Sequence, residues 1–206
     1  MSDFLTQLGD LFDRGGPVMW VLLGLSILSV TLAFERCVFW LRTHRPGRRK
    51  WLDDITMTLR KGDKEKAEHI AARDGTVYGR VVRALVKAPP HESQAVELIE
   101  AERATFERFS LVHSTIITAA PLLGILGTVL GIIRSFNLLG AAGDGIADIG
   151  QVSGGIAEAL ITTAFGLIVA LVTLFPHMVF KAQGDRCLGA IERMAAAWMG
   201  SSARKA

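Results

Sequence analysis

Glu158 is the one carboxylate in a run of 32 residues, Ile149 to Phe180, that otherwise holds no charged side chain. An ionisable group at membrane depth costs about 2.5–3.5 kcal/mol on insertion scales, so its presence there points to a pathway or a partner. Stepping by four residues gives Gly154, Glu158, Thr162, Gly166 and Ala170, a stripe of small and polar residues along one side of a helix. Lipid does not favour such a stripe, whereas another helix or a wet channel does. Thr162 one turn along and Thr163 beside it are hydroxyls able to carry a water file to the carboxylate. The chemistry this combination permits is proton transfer. The competing reading is plainer. Residues 159–180 alone are long enough to cross a bilayer, which leaves Glu158 as a polar end at the outer interface.

A second stretch offers a surface against which that stripe can pack. Gly127 and Gly131 form a small-xxx-small pair, and Ala120, Gly124 and Thr128 make a second small face. Such faces let helix backbones approach closely enough for van der Waals packing and interhelical hydrogen bonds. Pro121 lies inside the same stretch and is the place to expect a kink.

Three segments are long and apolar enough to position these residues across a bilayer. The first runs from Gly15 to Phe34, and the second covers the 25 residues from Phe109 to Ile133. The third carries Glu158. The fold expected is therefore an all-α integral membrane protein with three transmembrane helices and long cytoplasmic helical extensions. A secretory leader is disfavoured at the N-terminus, where Asp3, Asp10 and Asp13 oppose Arg14 alone, so the first segment is expected to be retained. Charge sets the expected orientation. Segment 41–108 holds 15 Lys or Arg, whereas 140–151 holds none, and the tail adds Lys181, Arg186, Arg193, Arg204 and Lys205. The positive-inside rule then puts 41–108 and the C-terminus in the cytoplasm.

The expected organisation follows. Residues 1–14 form an amphipathic periplasmic segment, 15–40 the first span and 41–108 a cytoplasmic helical region. Residues 109–139 are the second span, 140–151 a periplasmic hairpin, 152–180 the third span and 181–206 a cytoplasmic helix. In the cytoplasmic region, Trp51, Ile55 and Leu59 recur with helical period, and Gly62 interrupts them. A charged helix then starts at Asp63, with Gly75 as its expected C-cap, and 76–88 gives another whose apolar face is Val81, Val82, Leu85 and Val86. After Pro89-Pro90 no strong breaker other than Pro121 appears before Leu139. One helix is expected to run unbroken from His91 into the second span.

Soluble-enzyme signatures are missing: there is no phosphate-cradling loop, nucleophile elbow or His-rich metal spacing. No enzyme activity, cofactor or metal is expected. His113 and His177 fall near the cytoplasmic ends of two spans and read first as packing residues, with proton relay as the alternative. Cys37 and Cys187 read as inert packing thiols. A net charge of +3 reflects the loop asymmetry and gives no support to a nucleic-acid partner.

Taken in combination, Pro121-Leu122-Leu123-Gly124, Gly127-Thr128-Val129-Leu130-Gly131-Ile132 and Gly155-Ile156-Ala157-Glu158-Ala159-Leu160 resemble the proton-channel family of MotA, TolQ and ExbB. Thr162-Thr163-Ala164-Phe165-Gly166-Leu167 and Gly15-Gly16-Pro17-Val18-Met19-Trp20 extend the likeness, specifically to the three-span TolQ/ExbB branch. The resemblance implies a homopentameric ring in the bacterial inner membrane, its second and third spans lining a pore. That pore holds two copies of a small single-span partner of the ExbD/TolR type, which brings the protonatable aspartate. The driven protein is TonB- or TolA-like. On matching positions Thr128, Glu158 and Thr163 are implied to face the pore; geometry admits Thr162 as well. Arg134 departs from the family, which more often has an uncharged residue there; Asp144, Asp148 or Glu158 are its candidate counter-charges. Two rivals stay open: a non-conducting membrane scaffold, and a flagellar-type stator subunit, whose branch usually has four spans.

Overall fold

The computed structural model describes residues 16–44, 47–87, 91–141 and 149–202. Within these, the side chains of Glu92, Leu138, Leu139, Ala141, Ile149 to Val152, Glu158 and Ser202 are outside the description. The amphipathic segment expected over 1–14, Pro46, Pro89-Pro90 and most of the 140–151 hairpin also lie outside the described residues. Among the described residues there are seven helices and no strands. They are α1 (Gly16–Thr43), α2 (Arg48–Lys61), α3 (Lys64–Ala72), α4 (Val77–Lys87), α5 (Glu92–Phe106), α6 (Ser110–Ala141) and α7 (Ile149–Ser202). Three of them, α1, α6 and α7, are long and apolar enough to cross a membrane.

The chain divides into two compact units, with α1 and α7 each contributing to both. The first holds α1 as far as Phe34, together with Phe109–His177. Its surface is inverted relative to a water-soluble bundle, and its interior holds hydroxyls beside apolar side chains. Trp20, Phe34, Leu122, Phe136, Leu160 and Phe175 are exposed, while Ser29, Ser135, Thr162 and Thr173 are buried. Water would penalise that apolar surface, and hydrocarbon would penalise the hydroxyls if they faced out. The arrangement suits lipid. A small apolar cluster of Val18, Leu22, Ile116, Ala120, Val169 and Ala170 draws on all three helices.

The second unit packs by the ordinary hydrophobic rule. Ile55 and Leu59 of α2, Val81, Val82 and Leu85 of α4, and Ile191, Met194 and Trp198 of α7 share one core. Gly62 ends α2 in the left-handed conformation at φ 68°, which glycine adopts without penalty. Asp63 starts α3 by accepting a hydrogen bond from the Lys66 amide. The expected cap at Gly75 is not used. Arg73 takes that place, and Gly75 lies in the turn before α4.

One expectation is overturned. The helix expected to continue from His91 into the second span is broken at 107–109. The Glu107 amide closes α5 on the Arg103 carbonyl at 2.9 Å, and Phe109 turns the chain at φ 65°. A residue with a Cβ in that conformation costs about 1–2 kcal/mol and is not announced by glycine, proline or asparagine. Its carbonyl is used twice from the first turn of α6, accepting from the His113 amide at 3.0 Å and contacting His113 Nδ1 at 2.9 Å.

Candidate functional site: the α6–α7 pair of the membrane unit

Glycines on α6 and α7 set the distance between these helices. A Cβ built on Gly124 would stand 3.0 Å from both the Thr162 carbonyl oxygen and the Thr163 Cα. On Gly127 it would stand 2.7 Å from the Thr162 Cβ, and on Gly131 2.9 Å from the Ala159 Cβ. On Gly166 it would lie 2.5 Å from the Ala120 carbonyl oxygen and 3.2 Å from the Gly124 Cα. None of these positions has room for a methyl group without movement. Close approach lets side chains bond across the seam: the Thr163 hydroxyl donates to the Gly124 carbonyl at 2.9 Å.

The stripe read from the sequence resolves into distinct environments. Thr162 is 1% exposed, pressed on Gly127, and donates to the Ala159 carbonyl at 2.7 Å. Gly166 and Ala170 are buried on the same seam. Gly154, expected to pack, meets nothing within 4 Å, and its neighbour Gly155 packs against Ser135 of α6 instead. Thr128 is half-buried and donates to the Ile125 carbonyl at 2.6 Å. Glu158 belongs to α7, one turn before Thr162; its carboxylate lies outside the described residues. Pro121 and Pro176 both fall inside helices that run through them. Each removes the amide that would have bonded the carbonyl four residues earlier.

Two contacts were not legible beforehand. Ser29 of α1 and Thr173 of α7 are both buried, with hydroxyl oxygens 2.6 Å apart. Thr173 donates to the Val169 carbonyl, so Ser29 donates to Thr173. Ser26 and Thr31 lie in the same apolar run as Ser29, so composition did not single out the one that bonds. His113 and His177, separately noted in the sequence, stack with ring centroids 6.0 Å apart and planes 20° from parallel. His113 is 2% exposed, which fits a packing role.

Among the described residues, the titratable groups that their surroundings shift lie in the second unit. Burial alone would push the Asp74 carboxyl up, but the Thr76 amide and the Arg48 guanidinium outweigh it and hold the carboxyl below its usual range. Tyr78 and Cys187 share a buried hydrogen bond of 2.8 Å, and burial pushes both the phenol and the thiol up. A thiol held neutral is a poor nucleophile, consistent with an inert residue. Among the described residues, no three His, Cys, Asp or Glu side chains cluster as metal ligands would.

Three long helices with hydroxyls inside and large apolar side chains outside define a multi-pass membrane protein. Residues 76–193 match the MotA/TolQ/ExbB proton channel family, a span that includes the whole α6–α7 seam. The chain belongs to that family, in its ExbB/TolQ branch. It is 44% identical over 190 residues to the biopolymer transport protein ExbB-like 1 of Synechocystis sp., covering 86% of this chain and 72% of that one. It is 28% identical over 196 residues to the biopolymer transport protein exbB1 of Vibrio cholerae, covering 91% and 85%. A shorter match, 37% over 76 residues, joins 37% of this chain to 32% of the Tol-Pal system protein TolQ of Pseudomonas aeruginosa.

Proposed function

We propose that this chain is the ring-forming subunit of an inner-membrane motor that uses the proton motive force to drive a TonB- or TolA-type system. The observation that carries the reading is the glycine-spaced α6–α7 seam, which makes one wall of the helix holding Glu158 and the helix holding Thr128. Five copies place their α6 and α7 around a central pore that admits two single-span partners of the ExbD/TolR type. The partner supplies a protonatable aspartate. Glu158, Thr128 and Thr163 edge the proton path beside it. Thr162 serves the wall instead, because its burial on Gly127 is complete within one chain. The N-terminus and the 140–151 hairpin lie in the periplasm and the basic helical region in the cytoplasm, as the Lys and Arg distribution favours.

Glu158→Gln keeps the side-chain size and removes the charge. With the partner in proteoliposomes, it is expected to abolish uptake of protons driven by an imposed potential while native mass spectrometry still finds five chains with two partners. Unimpaired proton flux in Glu158→Gln would sink the role given to this residue. A monomer or dimer that ignores the partner would favour the scaffold reading over the motor.

A further inference from the structure

The second unit holds a cavity of about 480 Å³ between the first turn of α2 and the last turn of α3. That volume falls within the range of small-molecule sites, roughly 300–1,000 Å³. Trp51 and Ile70 supply its apolar wall, and Arg48, His69, Arg73 and Asp74 its charged and polar groups. His69 lies in the last turn of α3 and Arg73, four residues on, closes that helix, so the two share a face.

The charges of this wall do not cancel. Asp74 is the one carboxylate among the described residues that line the cavity, and both of its oxygens are taken. One is paired with the Arg48 guanidinium, and the other accepts from the Thr76 amide at 3.0 Å. Arg48 is committed as well: it donates to the Thr43 carbonyl at 3.1 Å and lies 5.3 Å over the Trp51 ring. Arg73 follows Asp74's neighbour Ala72 in the chain, yet its side chain makes no ion pair or hydrogen bond with another described residue, and neither does that of His69. Glu65 and Glu68 of α3 are exposed and stand outside the cavity. Arg73 therefore brings a positive charge that nothing in the cavity neutralises. The start of α2 adds to it, because Gly47 opens the helix with no side-chain cap and the first amides lack an acceptor within the helix. A solvated arginine needs neither a concave wall nor an indole beside it. Here both are present.

We propose that this cavity binds a mononucleotide. Arg73 and His69 donate to its phosphate oxygens, while the base lies on the Trp51 indole beside Ile70. A planar guanidinium meets a phosphate monoester with two parallel hydrogen bonds, and a base stacks on an aromatic ring whatever its identity. Arg48, anchored by Asp74, steadies the indole and takes no part in holding the anion. The inference rests on the second unit alone and holds whether or not protons pass Glu158.

The test uses the full chain in detergent micelles and equilibrium dialysis with radiolabelled adenosine monophosphate, with inorganic phosphate and adenosine as competitors. The nucleotide is expected to bind about tenfold more tightly than either competitor, since each keeps only one half of the recognition. Arg73→Gln is expected to weaken nucleotide binding about tenfold, the effect of one charge-assisted hydrogen bond, and Trp51→Leu to lower it to the affinity of inorganic phosphate. Arg49→Gln removes an exposed cation of α2 outside the cavity and is expected to leave binding unchanged. Should Trp51→Leu lose its helical circular dichroism, Arg73→Gln and His69→Gln, both at exposed positions, decide the matter. Equal affinities for the nucleotide and inorganic phosphate overturn the proposal in favour of a bare anion site. Unchanged nucleotide binding in Arg73→Gln overturns it too, as does an equal loss in Arg49→Gln, which would show attraction to a basic surface.

Discussion

Replacing Gly166 by alanine adds one methyl group to α7 where the backbone of α6 already stands. Its Cβ would lie 2.5 Å from the Ala120 carbonyl oxygen, roughly 1 Å inside ordinary van der Waals contact. Relief by rotamer change is impossible, because both the oxygen and the next neighbour, the Gly124 Cα, are backbone atoms. The helices must separate, and separation loosens the neighbouring contacts at Gly124 and Gly127 and lengthens the Thr163 to Gly124 hydrogen bond of 2.9 Å. Overpacking of this kind costs about 1–3 kcal/mol. Alanine also favours a helix over glycine by up to about 1 kcal/mol, which would mask part of the loss. Gly154→Ala corrects for that gain, since Gly154 is on the same helix and meets nothing within 4 Å. Gly166→Ala is therefore expected to be less stable than Gly154→Ala by about 1–3 kcal/mol. Titration with SDS in mixed micelles, followed by far-ultraviolet circular dichroism, measures the difference. Equal midpoints for the two variants would refute the claim that the seam is set by backbone contact at Gly166.

The buried Ser29–Thr173 hydrogen bond predicts that Thr173→Val costs about 0.6 kcal/mol, with about 1.7 as the upper bound for such bonds in membranes. Adding Ser29→Ala should then cost little more, and strictly additive losses in the double-mutant cycle would contradict the pairing. Asp74 links the second unit to pH. Its folded carboxyl titrates below the ordinary value of about 4, so its stabilisation is complete above that value and disappears as pH falls through the lower folded one. The acid-induced loss of helicity should therefore be less steep in Asp74→Asn, and an unchanged profile would exclude Asp74 as its source. The two thiols should separate cleanly. Cys37 is exposed and so is not the packing thiol read from the sequence; at pH 8, N-ethylmaleimide is expected to add once, there, and to reach buried Cys187 only after unfolding. Two additions at equal rates would show that the Tyr78–Cys187 contact is open in solution.

The three long apolar helices and the apolar faces of α2 and α4 were legible because they depend on local periodicity and on runs of one character. Ile55 and Leu59 are buried, as are Val81, Val82, Leu85 and Val86, where helical spacing placed them. The helix end at Gly62 and the start at Asp63 were readable, whereas the cap expected at Gly75 falls to Arg73. The break at 107–109 was not readable. It rests on Phe109 adopting a left-handed backbone that its residue type disfavours, held by bonds that the sequence does not display.

The sequence by itself determined that this is a multi-pass membrane protein with three segments long and apolar enough to cross, the third holding a lone carboxylate. Hydrophobicity and charge are summed along the chain, and neither needs to know what lies alongside. Its own motifs also carried the resemblance to the proton-channel family. Only the tertiary structure decided which side of each stripe meets which neighbour. Thr162 and Thr163 are adjacent and chemically identical, yet one is closed against Gly127 and the other bonds the Gly124 carbonyl. Gly154 and Gly155 divide in the same way, one open and one pressed on Ser135. A rotation of about 100° per residue separates each pair, and the azimuth of a helix is set by what it packs against.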